Sequence, residues 1–250
     1  MKRLSPSTKT FLLLIMIYAV IAGIMVYLPQ GSSTAAVPPQ TFPLPKPVMA
    51  LVAGLIVLVS YGGLGLLGLF LSKKLGFAEI WQAGVTNRQR FLIPGLVGAV
   101  LGVFIIVGDL IFSRFNPFGA LPHPPFPTSI LASLAAGIGE EAIFRLFFIA
   151  FWTWLISYVI LRKRNQNLVF WVVTFLSALA FAMGHLPSLM YLYNLTSIRQ
   201  FPAFLMAEII LLNGVISFFA AYYFRKVGFL GAVGVHLWAD VVWHVIFGAF

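Results

Sequence analysis

The chain has 250 residues, of which 61% are hydrophobic and only 9% charged, and its formal net charge is +10 at pH 7. Apolar runs long enough to cross a bilayer recur along its whole length, which excludes a water-soluble globular protein and leaves no stretch for a separate soluble domain. There is no cysteine, so disulfides, thiolate metal sites and cysteine nucleophiles are excluded from its chemistry.

Residues 1–28 start basic and turn apolar, and the small residues Ala35 and Ala36 follow downstream, as after a signal peptide. The apolar run of about 18 residues is longer than the roughly 7–15 of a signal-peptide core, which favours a retained first helix. Reading runs of that length along the chain predicts seven spans, at 11–28, 48–72, 91–113, 128–161, 168–186, 201–224 and 228–249. The Pro/Ser/Thr-rich segment 29–47 and the segment 114–127, with five prolines, read as external loops. The chain thus divides into an N-terminal part, 1–127, with three spans, and a C-terminal part, 128–250, with four.

Basic residues test that topology, because Lys and Arg favour cytoplasmic loops. With the N-terminus inside, Lys2, Arg3, Lys9, Lys73, Lys74, Arg88, Arg90, Arg162, Lys163, Arg164, Arg225 and Lys226 fall on the cytoplasmic side, against Lys46, Arg114 and Arg199 outside. The excess positive charge is therefore a topology signal and an anchor to anionic membrane lipids, with no nucleic-acid partner implied. Arg145 is the one basic residue inside a span.

The six acids are Glu79, Asp109, Glu140, Glu141, Glu208 and Asp240, and Glu79 alone lies clearly in a loop. Ionisable groups at membrane depth are costly unless paired or wetted, so they mark functional candidates. On the fourth span Glu141 and Arg145 are four apart and share a helix face, where an ion pair neutralises both. Glu140, rotated about 100° away, lacks an in-helix partner and is free to face a cavity as a general base. On the fifth span Phe181 and His185 are again four apart, with Pro187 closing the helix. A short basic turn joins these two helices as an antiparallel hairpin, which brings Glu140 and His185 to similar height. On the seventh span His236 and Asp240 share a face, a spacing that suits a carboxylate orienting an imidazole and fixing its tautomer. His244 continues that stripe and reads as interfacial, while His123 sits in the second external loop.

Glu-Glu-x-x-x-Arg at 140–145, Phe-x-x-x-His at 181–185 and His-x-x-x-Asp at 236–240 stand in that order on successive helices. Together they resemble the CPBP family of intramembrane endopeptidases, which includes CAAX-type prenyl proteases and bacteriocin-related members. The resemblance covers about 128–249, and Asp240 stands where the family commonly has Asn. It implies an all-α polytopic bundle enclosing a polar cavity, and hydrolysis of a peptide bond in a membrane-associated or lipid-modified protein or peptide. By the same resemblance Glu140, with His185, polarises and deprotonates a water. Glu141, Arg145 and Phe181 support them, and His236, with Asp240, stabilises the oxyanion or orients substrate.

A metal variant stays open, in which Glu140, His185 and His236 make a His₂Glu zinc site with a free fourth position. Metal-free hydrolysis by the glutamate is placed ahead of it. A proton-coupled transporter and a non-catalytic scaffold or immunity protein are the competing classes; the spans show no matched pair of Gly/Pro-broken helices of the transporter kind. Helical rise sets one conflict. His236 is about 15 Å from Arg225 and Lys226, whereas Glu140 is about 33 Å from Arg162. Either the fourth and fifth helices project beyond the membrane, or the 225–228 turn is sunk. The resemblance favours substrate entry from the cytoplasmic side.

Overall fold

The computed structural model describes residues 4–29 and 44–250. Lys2, Arg3 and residues 30–43, including Ala35 and Ala36, lie outside the described residues. Seven helices are long and apolar enough to span a membrane: α1 (Pro6–Met25), α2 (Lys46–Lys74), α3 (Arg88–Phe112), α4 (Thr128–Ile160), α5 (Gln166–Leu192), α6 (Ala203–Val227) and α7 (Phe229–Ala249). Each overlaps one predicted span, and no strand occurs among the described residues. Large apolar side chains such as Val59, Val100 and Leu168 stand exposed on the outer faces, as a lipid-facing surface requires.

The last helix is the axis of the bundle. α7 packs against α3, α4 and α6; α5 lies along α6, and α1 along α2 and the start of α4. Close approach depends on missing side chains, as in other membrane helix pairs. A Cβ at Gly98 of α3 would collide with the Val235 carbonyl of α7, and one at Gly68 of α2 with the Leu146 backbone of α4. Ser5 caps α1 by accepting the Thr8 N–H at 3.1 Å, satisfying one of the free amides at a helix start.

At the basic end, side chains lock the turns together. Arg225 Nη1 donates to Asn167 Oδ1 at 2.8 Å, Gln166 Nε2 to the Leu75 carbonyl at 2.7 Å, and Trp81 Nε1 to Thr10 Oγ1 at 2.7 Å. These bonds resolve the conflict of depths. Arg225 is level with Asn167 and, through Ala78 N–H to Arg225 O, with the 75–78 turn. The Trp154 ring stands beside Lys74, so residues 155–165 run past that level before Gln166 returns to it. The projecting element is therefore α4. Between Glu140 and Trp154, residues Ala142–Ile149 also form i→i+5 turns, which are wider than α-helical turns and rise less per residue. The 33 Å expectation assumed a regular α-helix throughout.

Candidate active site

α4 changes from α-helical to i→i+5 turns directly after Glu141, an irregularity frequent at functional sites. Glu141 Oε2 lies 3.1 Å from Arg145 Nε, and both side chains are completely buried. The Arg145 guanidinium sits 4.5 Å from the centre of the Phe181 ring, where the negative face of the aromatic ring meets the cation. The other Glu141 oxygen reaches across to α7 and accepts the His236 Nδ1–H at 2.8 Å.

That bond corrects the expected pairing within α7. Asp240 Oδ2 lies 3.6 Å from His236 Nε2, beyond hydrogen-bond range, so the carboxylate that orients His236 is Glu141. A one-turn offset lays Asp240 beside the imidazole, whereas Glu141 on the facing helix meets it edge-on. The remaining His236 nitrogen, Nε2, is 3.8 Å from Glu140 Oε2. Glu140 Oε2 makes no hydrogen bond among the described residues, and its side chain keeps about a third of its surface exposed.

His185 closes the set at a break in α5. Its Nδ1 lies 2.9 Å from the Phe181 carbonyl oxygen, to which it donates, so Nε2 is left for other partners. Pro187 does not end the helix as expected, because a further helical stretch, Leu186–Leu192, follows with Pro187 in its first turn, where proline is tolerated. The Phe181 ring stacks edge-on to both histidines, 5.0 Å from His185 and 5.6 Å from His236.

Glu140, His185, His236 and Asp240 line one cavity of about 270 Å³. Glu140 and His185 share it without touching. The rest of its wall is mainly apolar, with Ala132 and Ala136 on α4, Leu189 on α5 and Ile216 on α6. Leu121, Pro122 and Pro124 of the 113–127 segment line it too.

Among the described residues no three His, Asp or Glu side chains come together as a metal-binding group. The expected zinc ligands Glu140, His185 and His236 surround the cavity without converging on one point, and His236 Nε2 faces two carboxylates. The donor set does not fit the His₂Glu site considered from the sequence.

Two features had no counterpart in the sequence reading. His244, expected at the interface, lines the cavity, with its Nδ1 3.0 Å from Nδ1 of His123. Burial pushes the His123 pKa below its ordinary value of 6.5, with Asp109 acting in the opposite direction. Asp109 and Glu208, both completely buried, hold the 113–127 segment from α3 and α6. Asp109 Oδ1 accepts the Leu121 N–H at 2.9 Å, and Asn116 Nδ2 donates to Glu208 Oε2 at 3.5 Å. Their depth in the spans was the one available signal; nothing in the spacing joined them to the 113–127 segment.

Compared with known protein families, residues 122–242 match the model described as type II CAAX prenyl endopeptidase Rce1-like. No curated protein and no solved structure matches the chain.

Proposed function

Starting from the match of residues 122–242 to the Rce1-like type II CAAX prenyl endopeptidase family, we propose that the chain is an intramembrane endopeptidase acting by glutamate-activated water. The observation that carries this reading is the facing of Glu140 Oε2 and His236 Nε2 across 3.8 Å at the wall of the cavity. A reacting oxygen beside the line joining them comes within hydrogen-bond reach of both a base and a donor.

In the proposed reaction a water between Glu140 and His185 gives its proton to the Glu140 carboxylate while its oxygen attacks the peptide carbonyl carbon. The carbonyl oxygen becomes an oxyanion and takes a hydrogen bond from His236 Nε2. Collapse of the tetrahedral intermediate breaks the C–N bond, and the proton on Glu140 passes to the leaving nitrogen. Glu141 is the positioning residue. It fixes His236 through Nδ1 and is itself neutralised by Arg145.

The substrate in this reading is a membrane-associated or lipid-modified peptide, because the cavity wall is apolar and the described loops are short. The chain sits in the cell membrane with its N-terminus in the cytoplasm, a topology supported by the basic residues of the 73–90, 162–164 and 225–226 turns.

The test is cleavage of a membrane-tethered peptide library by the purified protein in lipid. Wild type is compared with Glu140→Gln and His185→Ala, with and without chelator, and the metal content of each sample is measured. The proposal expects cleavage by wild type alone. Equal cleavage by Glu140→Gln would sink it.

A further inference from the structure

A second cavity, of about 430 Å³, lies at the basic end of the bundle, where the start of α5 and the end of α6 meet the turn after α2. Its wall is made by Gly76, Asn167, Trp171, Tyr222, Arg225 and Lys226. Every polar side chain in that wall has a hydrogen-bond donor to offer, and no Asp or Glu faces it. Arg225 gives one of its five N–H groups to Asn167 Oδ1 at 2.8 Å, which occupies the amide oxygen and leaves the Asn167 NH₂ over. The ammonium of Lys226, the indole N–H of Trp171 and the hydroxyl of Tyr222 make no hydrogen bond among the described residues.

The two cations have no partner within reach of the chain's own acids. Glu79 is the one acid in the basic turns, and Lys73 holds it at 2.9 Å. Arg225 is nevertheless fixed in place. Its guanidinium lies 4.5 Å from the centre of the Phe170 ring and 5.7 Å from that of Phe77, a stacking that orients the fork before any ligand arrives. A held guanidinium, a mobile ammonium and neutral donors around them suit a group with several anionic oxygens, and phosphate is the common one.

The surroundings say what carries that phosphate. Trp171 and Tyr222 are 37% and 44% exposed, so the wall reaches the outer surface, with the residue types that favour the headgroup level of a bilayer. One turn deeper on the same two faces stand Phe175 of α5 and Phe218 of α6, with ring centres 6.4 Å apart. Phe175 and its neighbour Val172 are exposed. An apolar seam between α5 and α6 therefore follows directly below the cationic cavity. A soluble anion has no use for that seam, whereas a phospholipid fills both.

We infer that this cavity binds the headgroup of an anionic phospholipid, with Arg225 and Lys226 on the phosphate and an acyl chain along the seam at Phe175 and Phe218. The inference goes beyond the proteolytic reading and does not rest on it. Excess positive charge draws acidic lipids to the whole basic face, but a basic pocket between membrane helices selects one lipid molecule at one place.

The test uses the full chain purified in a neutral detergent. Retention of phosphatidylglycerol and of phosphatidylcholine is followed by native mass spectrometry, and the melting temperature is recorded with each. Wild type is expected to retain phosphatidylglycerol in preference and to melt higher with it. Arg225→Gln and Lys226→Gln should each weaken that binding by about tenfold, the scale of one charge-assisted hydrogen bond. Lys226 makes no ion pair or hydrogen bond among the described residues, so its variant keeps the test decisive should Arg225→Gln fail to accumulate. Arg164→Gln removes the same charge from a neighbouring turn and is expected to leave the binding unchanged. Equal weakening by Arg164→Gln, or equal retention of the two lipids by wild type, would reduce the effect to general surface charge and overturn the site. Inorganic phosphate is the remaining arm. A rise in melting temperature with phosphate alone, equal to that with phosphatidylglycerol, would give the cavity to a soluble anion and overturn the lipid.

Discussion

Glu141 of α4 and His236 of α7 are joined by a 2.8 Å hydrogen bond, and the same carboxylate faces Arg145 at 3.1 Å. One buried acid therefore sets the position of the imidazole while its own charge is held by a cation one helical turn away. Removing Arg145 strands the carboxylate.

Arg145→Met is expected to destabilise the fold by about 3–5 kcal/mol, the range for removing one partner of a buried ion pair. Adding Glu141→Gln to that variant should recover part of the loss, since no uncompensated carboxylate then remains. Thermal unfolding of the three proteins in one detergent measures this. A double variant less stable than Arg145→Met would contradict the pairing.

Glu140→Gln should leave the fold intact, because the side chain is partly exposed in the cavity and makes no hydrogen bond among the described residues. Cleavage should fall by about 10²-fold or more, the range for loss of a general base. Single-turnover cleavage of a tethered peptide and the melting temperature of the same sample separate the two effects.

The exchange of Asp240 for Glu141 as the residue that orients His236 has its own consequence. Glu141→Gln removes a charge-assisted bond, whereas Asp240→Asn alters a group 3.6 Å from the ring. The first is expected to lower cleavage by about a further tenfold relative to the second, the worth of roughly 1.4 kcal/mol at the transition state. Equal losses would return the orienting role to Asp240.

The 113–127 segment should respond to acid. His123 is held neutral by burial, with its pKa below the ordinary 6.5, and it meets His244 of α7 and the field of Asp109 on α3. A group whose pKa is lowered on folding contributes its stability above the ordinary value. That contribution is lost as pH falls below it, toward the lowered pKa. The protection of the amides at 118–121 and 123, with rates corrected for the intrinsic slowing of exchange in acid, is expected to fall on going from about pH 7.5 to about pH 5.5, across the range in which an imidazole gains its proton. His123→Asn should flatten the response; a response unchanged in that variant would remove His123 as its source.

Gly68→Ala should weaken the α2–α4 contact, since a Cβ there meets the Leu146 backbone, which has no rotamer to give way. Overpacking of this kind costs about 1–3 kcal/mol. Gly63→Ala, whose Cβ would meet nothing nearby, is the matched control in a thermal-unfolding comparison. Equal effects would contradict the close approach.

The spans were legible because an apolar run of bilayer length has few other readings, and the paired charges were legible because four-residue spacing stacks side chains on a regular helix. Both are local signals. Which carboxylate would meet His236 depended on the register of α4 against α7, a relation between residues 95 positions apart that no local pattern encodes. The wider turns after Glu141 were invisible for a related reason: Ala142–Ile149, apolar apart from Arg145, has no Gly or Pro to announce an irregularity. The segment 113–127 read as a plain loop because its prolines say only that it is not helical. The bonds that make it a roof are to Asp109 and His244, on helices before and after it.

The bond from Asp109 to the Leu121 amide has a bearing on descent. The segment that shares the family pattern begins at residue 122, so it contains the side chains proposed to react but not the acid on α3 that tethers the roof. One tether of the roof thus lies outside the stretch that carries the three motifs. A lineage can keep the motifs unchanged while rewriting that tether, and proteins with the same three motifs need not have the same diet.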